Sequence, residues 1–170
     1  MIFRYDGDKI KVWQAEKGND FHSLYYVNET IYVDQRNVGL KKMLDDRLVL
    51  IQGGEFLAHE KVYIMMEYYG KERNEVPQII MNTRSRGLLL MTPTPKDYFP
   101  ADRKAPKHIN KFIPFPISIH DFLVTNTIYN GIRLNDNTYS IGTLGGGVVV
   151  LDKEGVLQNI INKNTGMQNE

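Results

Sequence analysis

Along this chain, short stretches in which apolar and polar residues alternate are separated by clusters of Gly, Asn and Asp. That pattern is the mark of half-buried β-strands joined by tight turns. Ile2-Phe3-Arg4-Tyr5, Asp6-Gly7-Asp8 and Lys9-Ile10-Lys11-Val12-Trp13 predict an N-terminal hairpin. A polar linker from Ala15 to Asp20 follows. Four strands are then expected at 22–27, 30–33, 39–44 and 47–51, with turns at Asn28-Glu29 and Asp45-Asp46. A second group is expected at 62–69, 78–81 and 87–91, its first hairpin carrying the longer loop Gly70 to Pro77. Residues 118–123 predict a short helical turn, and a third group of strands occupies 128–134, 138–142, 147–151 and 156–161. The polar tail from Asn162 to Glu170 leads toward a further unit.

Two of these runs do not alternate. Leu88-Leu89-Leu90-Met91 and Val148-Val149-Val150-Leu151 are apolar at consecutive positions, as a strand reads when both its faces are buried. A helix is excluded because the runs are short, partly β-branched and bounded by Gly and Asn turns. Both runs follow a polar turn and a glycine, Gly87 and Gly147, and Gly39 stands in the same setting before Leu40. The glycines recur at intervals of roughly 50 and 60 residues, a period that signals a propeller or another stacked β array. The reading is therefore an all-β chain forming a partial β-propeller: about three four-stranded antiparallel blades plus an N-terminal hairpin. Its parts are 1–18, the hairpin of a preceding blade; 19–54, a blade; 55–116, a blade with a Pro-rich insertion at 92–116; and 117–170, a blade and its lead-out. Five of the seven prolines lie from Pro93 to Pro114 and a sixth is Pro116. Proline cannot donate to a strand ladder, so this segment is expected at the outer edge or as a loop.

Composition narrows the functional classes. A formal net charge of +1 gives no whole-protein field for nucleic acid or anionic lipid. With no cysteine, disulfides and thiolate zinc sites are excluded. No run of about 20 apolar residues exists to cross a bilayer as a helix. Met1 to Gly7 resembles the middle of a strand, not a signal peptide, so the chain is expected to be a piece of a longer protein.

The third group carries a resemblance. Tyr129-Asn130-Gly131-Ile132-Arg133-Leu134, Gly142 to Asp152 and Ile160 to Met167 resemble the two-component regulator propeller repeat, with Gly142 to Met167 the most specific part. The stretch from Leu48 to Phe56, with Gly39-Leu40, is similar but looser. That repeat builds the periplasmic sensor regions of large bacterial hybrid histidine kinases, of the type common in Bacteroidetes. The resemblance implies a ligand-sensing, non-catalytic fragment of an extracytoplasmic propeller, periplasmic and glycan-responsive. The family continues into further blades, a membrane helix and a kinase, so kinase activity is not carried over to these residues. A propeller protein-interaction module and, less in keeping with the residues, a propeller hydrolase or lyase fragment are the alternatives.

Candidate chemistry is sparse. Gly145-Gly146-Gly147 runs into valines and lacks the Lys-Ser/Thr and helix of a phosphate loop, so it reads as a tight strand connection. His22, His59, His108 and His120 show no metal-ligand spacing. Ser118, His120 and Asp121 lack a nucleophile elbow, and neighbours on a strand or turn point apart. Arg103, Lys104, Lys107, His108 and Lys111 form the densest basic run, read as a solvated loop. The positions three and four before the aligned glycines hold Arg36, Arg84 and Leu144, and Gln35, Thr83 and Thr143. Equivalent loops of successive blades share one face, so Arg36, Arg84, Gln35, Thr83 and Thr143 are the candidate ligand-binding residues, for a sugar acid or other anion. Turn stabilisation is the competing role for the arginines. We expect no cofactor, no metal, no nucleic-acid partner and no membrane contact by this segment. Self-association into a homodimer is expected through open blade faces, two half-rings completing about seven blades.

Overall fold

A computed structural model describes residues 1–70, 77–93, 111–135 and 137–167. The chain divides into two compact units, Met1–Lys61 and Val62–Glu170. In the first, β1 (Ile2–Tyr5) and β2 (Ile10–Trp13) pair as the expected hairpin, with Ile2 opposite Trp13. There follows a sheet in simple chain order: β3 (Phe21–Val27), β4 (Thr30–Gln35), β5 (Gly39–Leu44) and β6 (Arg47–Leu50). Its outer hairpins turn on two residues each, Asn28-Glu29 and Asp45-Asp46, all with positive φ. Positive φ at both central residues is the twist-matched turn, and Asn and Asp tolerate it better than bulkier side chains do.

The second unit repeats this order twice. One sheet is β7 (Met65–Tyr68), β8 (Gln78–Thr83), β9 (Gly87–Thr92) and β10 (Lys111–Pro114). The next is β11 (Ile128–Asn135), β12 (Thr138–Thr143), β13 (Val148–Asp152) and β14 (Leu157–Ile161). Helix α1 (His120–Thr125) lies between them in sequence, at the expected helical turn. The described fold is all-β with propeller-like four-stranded antiparallel sheets. No helix among the described residues is long and apolar enough to cross a membrane.

One boundary differs from the sequence reading. The fourth strand of the second sheet, β10, comes from the end of the Pro-rich segment and pairs Lys111 with Thr92 through Pro114 with Leu89. An edge strand tolerates proline because one row of its amides has no ladder partner to lose. The basic residues Arg103, Lys104, Lys107 and His108 lie outside the described residues, as do most of the insertion and the loop residues 71–76.

Double-sided burial is borne out in one of the two runs. Leu88, Leu89, Leu90 and Met91 are all buried. In β13, Val149 and Leu151 are buried while Val148 and Val150 are only half-buried. The two sheets of the second unit explain the difference. Leu88 and Leu90 of β9 share one cluster with Tyr139 and Ile141 of β12, Val149 and Leu151 of β13, and Leu123 of α1. One face of the last sheet is thus covered by the sheet before it, and the face carrying Val148 and Val150 is not.

Candidate functional site

The three aligned glycines occupy one structural position. Gly39, Gly87 and Gly147 have φ of +114°, +67° and +81°, and each opens the third strand of its sheet or immediately precedes it. Left-handed backbone re-aims the chain out of the turn, and a side chain there is strained. Each sheet's lead-out segment then returns to this corner. The Ile51 amide donates to Leu40 O at 3.0 Å, and at the matching place Phe115 N donates to Leu88 O at 3.0 Å. A short helical turn follows in every case: Glu55–Leu57, α1, and Lys163–Thr165. The last is fixed by a capping box between Asn162 and Thr165.

The candidate residues stand on the second strands and turns beside these glycines. Thr83 is buried, and its hydroxyl accepts from Arg86 N at 3.0 Å. Thr143 does the same for Gly146 N at 3.0 Å and donates to Gly147 O at 2.8 Å. These equivalent hydroxyls hold their turns shut, a local side-chain-to-backbone bond that threonine makes readily. Gln35, also buried, donates through Nε2 to Glu16. Arg36 and Arg84 are exposed on their turns, and Arg36 N donates to Asp20 O at 2.9 Å. Within the second unit, α1 backs both turns: a Cβ on Gly87 would meet the His120 ring at 2.8 Å, and one on Gly146 would meet Phe122 at 2.6 Å. The turns carrying Thr83 with Arg84 and Thr143 are thereby brought to one helix. His120 packs against Gly87 there.

The first sheet departs from the repeat where sequence reasoning found nothing. Counting from the glycines, Lys41 and Lys42 stand where the other sheets have Leu89 and Val149, and Leu90 and Val150. Both lysines are buried, on opposite faces of β5. Lys41 Nζ bonds Glu16 Oε1 at 2.7 Å, and this pairing holds the Glu16 carboxyl below its usual range. On the other face, Asp34 is fully buried with its Oδ2 3.4 Å from His22 Nδ1. Burial pushes Tyr32 up to about 12 and Lys42 down. Aligning the repeats on their glycines was signal enough to find this cluster: it is the one blade with charge at apolar positions. Among the described residues no group of three His, Asp or Glu side chains comes together as a metal site.

Lys42 makes a pH prediction. Its folded-state pKa lies below the ordinary 10.5, so the charged form is penalised by folding. The penalty is full below the lowered folded pKa and is relieved as pH rises from there to 10.5. Lys42→Met removes it. Relative to Lys42→Met, the wild type is expected to gain stability in urea melts as pH rises toward 10.5; a difference between the two that does not change with pH contradicts a desolvated lysine.

No family model, no curated protein and no solved structure matches this chain.

Proposed function

We propose that this chain is a ligand-sensing, non-catalytic segment of the extracytoplasmic β-propeller of a two-component sensor histidine kinase, working in the periplasm. The observation that carries this reading is the repeated corner: second strand, short turn, left-handed glycine and lead-out, on three sheets of the same order. The stretch that most resembles the regulator propeller repeat, Gly142 to Met167, forms one such corner from β12 to its capped helical turn.

In this reading the exposed turn arginines, Arg36 in the first unit and Arg84 in the second, each offer a guanidinium to an acidic saccharide. Guanidinium groups match carboxylates in bidentate geometry. The resemblance supplies the glycan class. A signal then requires that the saccharide favour one arrangement of the larger receptor over another.

The test is a thermal-shift panel of uronate-containing oligosaccharides and their neutral counterparts, on the wild type and on Arg36→Ala/Arg84→Ala. A bound member at a hundredfold excess over its Kd is expected to raise Tm by about 5–10 °C, and the double variant is expected to lose the shift. No shift from any member overturns the glycan reading. A shift retained by the double variant overturns the arginine assignment.

A further inference from the structure

Two departures of the first sheet from the repeat meet on a single carboxylate. One is Lys41, at the position that holds Leu89 and Val149 in the other sheets. The other is Gln35, at the position of Thr83 and Thr143. In those sheets the threonine hydroxyl accepts from the amide just before the glycine, Arg86 N or Gly146 N. In the first sheet the matching amide, Val38 N, donates to the Gln35 backbone oxygen at 3.1 Å instead. The Gln35 carboxamide is thereby released from closing its turn.

Lys41 pairs with Val33, and Val33 and Gln35 lie two apart on β4, so Lys41 and Gln35 project from one face of the sheet. Gln35 is fully buried and Lys41 nearly so. Both donate to Glu16: Gln35 Nε2 to Oε2, and Lys41 Nζ to Oε1 at 2.7 Å. Glu16 comes from the 15–20 linker and not from a strand. Its side chain is 58% exposed against 10% for that of Lys41, so the carboxylate reaches the buried donors from the solvent side. Downstream the linker is held separately, by Arg36 N on Asp20 O at 2.9 Å and Asn37 Nδ2 on Asn19 Oδ1 at 3.1 Å.

One acceptor is left over. Gln35 Oε1 is buried and has no hydrogen-bond partner among the described residues. The Glu16 carboxylate, which Lys41 holds ionised, has no proton to give it. A buried acceptor left unmade is costly, and the repeat does not demand one here, since its other two copies fold with threonine and an apolar residue at these positions. The set matches a carboxylate that carries a neighbouring hydroxyl: carboxylate oxygens for Lys41 Nζ and Gln35 Nε2, a hydroxyl proton for Gln35 Oε1. We propose that Lys41 and Gln35 form a binding site for a hydroxy-carboxylate, and that Glu16 is a tethered stand-in which the ligand displaces. This inference rests on the buried groups of the first unit and not on the turn arginines or the sensor reading, so either can fail alone.

Glycolate is the probe, with acetate, which lacks the hydroxyl, and sodium chloride of equal ionic strength as comparators. In Glu16→Ala the two donors lose their internal partner, and glycolate at about 0.3 M is expected to raise Tm by about 3 °C or more over chloride. Acetate is expected to give a smaller rise. Glu16→Ala/Lys41→Met is expected to give none. Glu16→Ser and Lys41→Leu replace either substitution if circular dichroism shows it misfolded. In the wild type this concentration exceeds the millimolar effective concentration of a tethered carboxylate by roughly a hundredfold. Glycolate is therefore expected to release the linker and speed trypsin cleavage after Lys17 by about threefold or more over chloride, but not in Lys41→Met. No rise in the Glu16 variant, or a rise that survives loss of Lys41, overturns the site. Acetate equal to glycolate overturns the role of Gln35 Oε1, and unchanged cleavage of the wild type overturns the displacement of Glu16.

Discussion

Gly147→Ala is expected to destabilise the chain by about 3 kcal/mol or more. Left-handed backbone costs a non-glycine residue roughly 1–2 kcal/mol. A Cβ at this position would also lie inside contact distance of the Ile161 carbonyl and 3.0 Å from the Asn162 Cβ. Those are backbone and near-backbone atoms, held by the capping box of the following turn, so neither yields cheaply. Gly166→Ala is the control: its φ is +112°, but nothing lies within 4 Å of an added Cβ. Only the conformational part of the cost applies there, about 1–2 kcal/mol. Urea denaturation followed by circular dichroism separates the two variants. Equal losses would mean that the lead-out segment does not clamp the corner.

Asn82→Ala is expected to cost about 3 kcal/mol. Asn82 is buried at the end of β8, and its Oδ1 accepts from both Tyr63 N and Ile64 N at 2.9 Å. Alanine removes the acceptor and leaves two backbone donors, one of them buried, where water does not readily replace it. An unmade buried hydrogen bond costs about 1–3 kcal/mol. The carboxamide also fixes the entry of the chain into β7, so the β7–β8 pairing weakens with it. The same urea experiment reads the loss. A change below about 1 kcal/mol, the mean for point variants, would show that the two amides find other partners.

Most of the strand order was legible because local chemistry and tertiary packing agree. The hairpin, the two-residue turns at Asn28-Glu29 and Asp45-Asp46, and the three glycine corners each follow from backbone preferences that a residue carries with it. Strand β10 was not legible, because prolines at 93–114 argue against a strand and only pairing with β9 places one at its end. Nor does a run such as Val148 to Leu151 tell whether a second sheet covers it, since the cover comes from elsewhere in the assembly. For the candidate site, the turn positions of Arg36 and Arg84 could be read from the alignment. The turn-closing bonds of Thr83 and Thr143 could not, because they depend on backbone dihedrals. Lys41 and Lys42 stand out once the three glycines are aligned, at positions that are apolar in the other two sheets, whereas the Glu16 contact of Lys41 depends on tertiary pairing.

The central claim is that each sheet is one copy of a unit closed by its own lead-out segment at a left-handed glycine. Amide hydrogen exchange at Ile51 and Phe115 tests it most directly, since their donors to Leu40 O and Leu88 O occupy equivalent places in two different sheets. The account predicts that both amides exchange as slowly as those of the neighbouring β5 and β9 strands. Exchange at either amide as fast as in an exposed loop would contradict it.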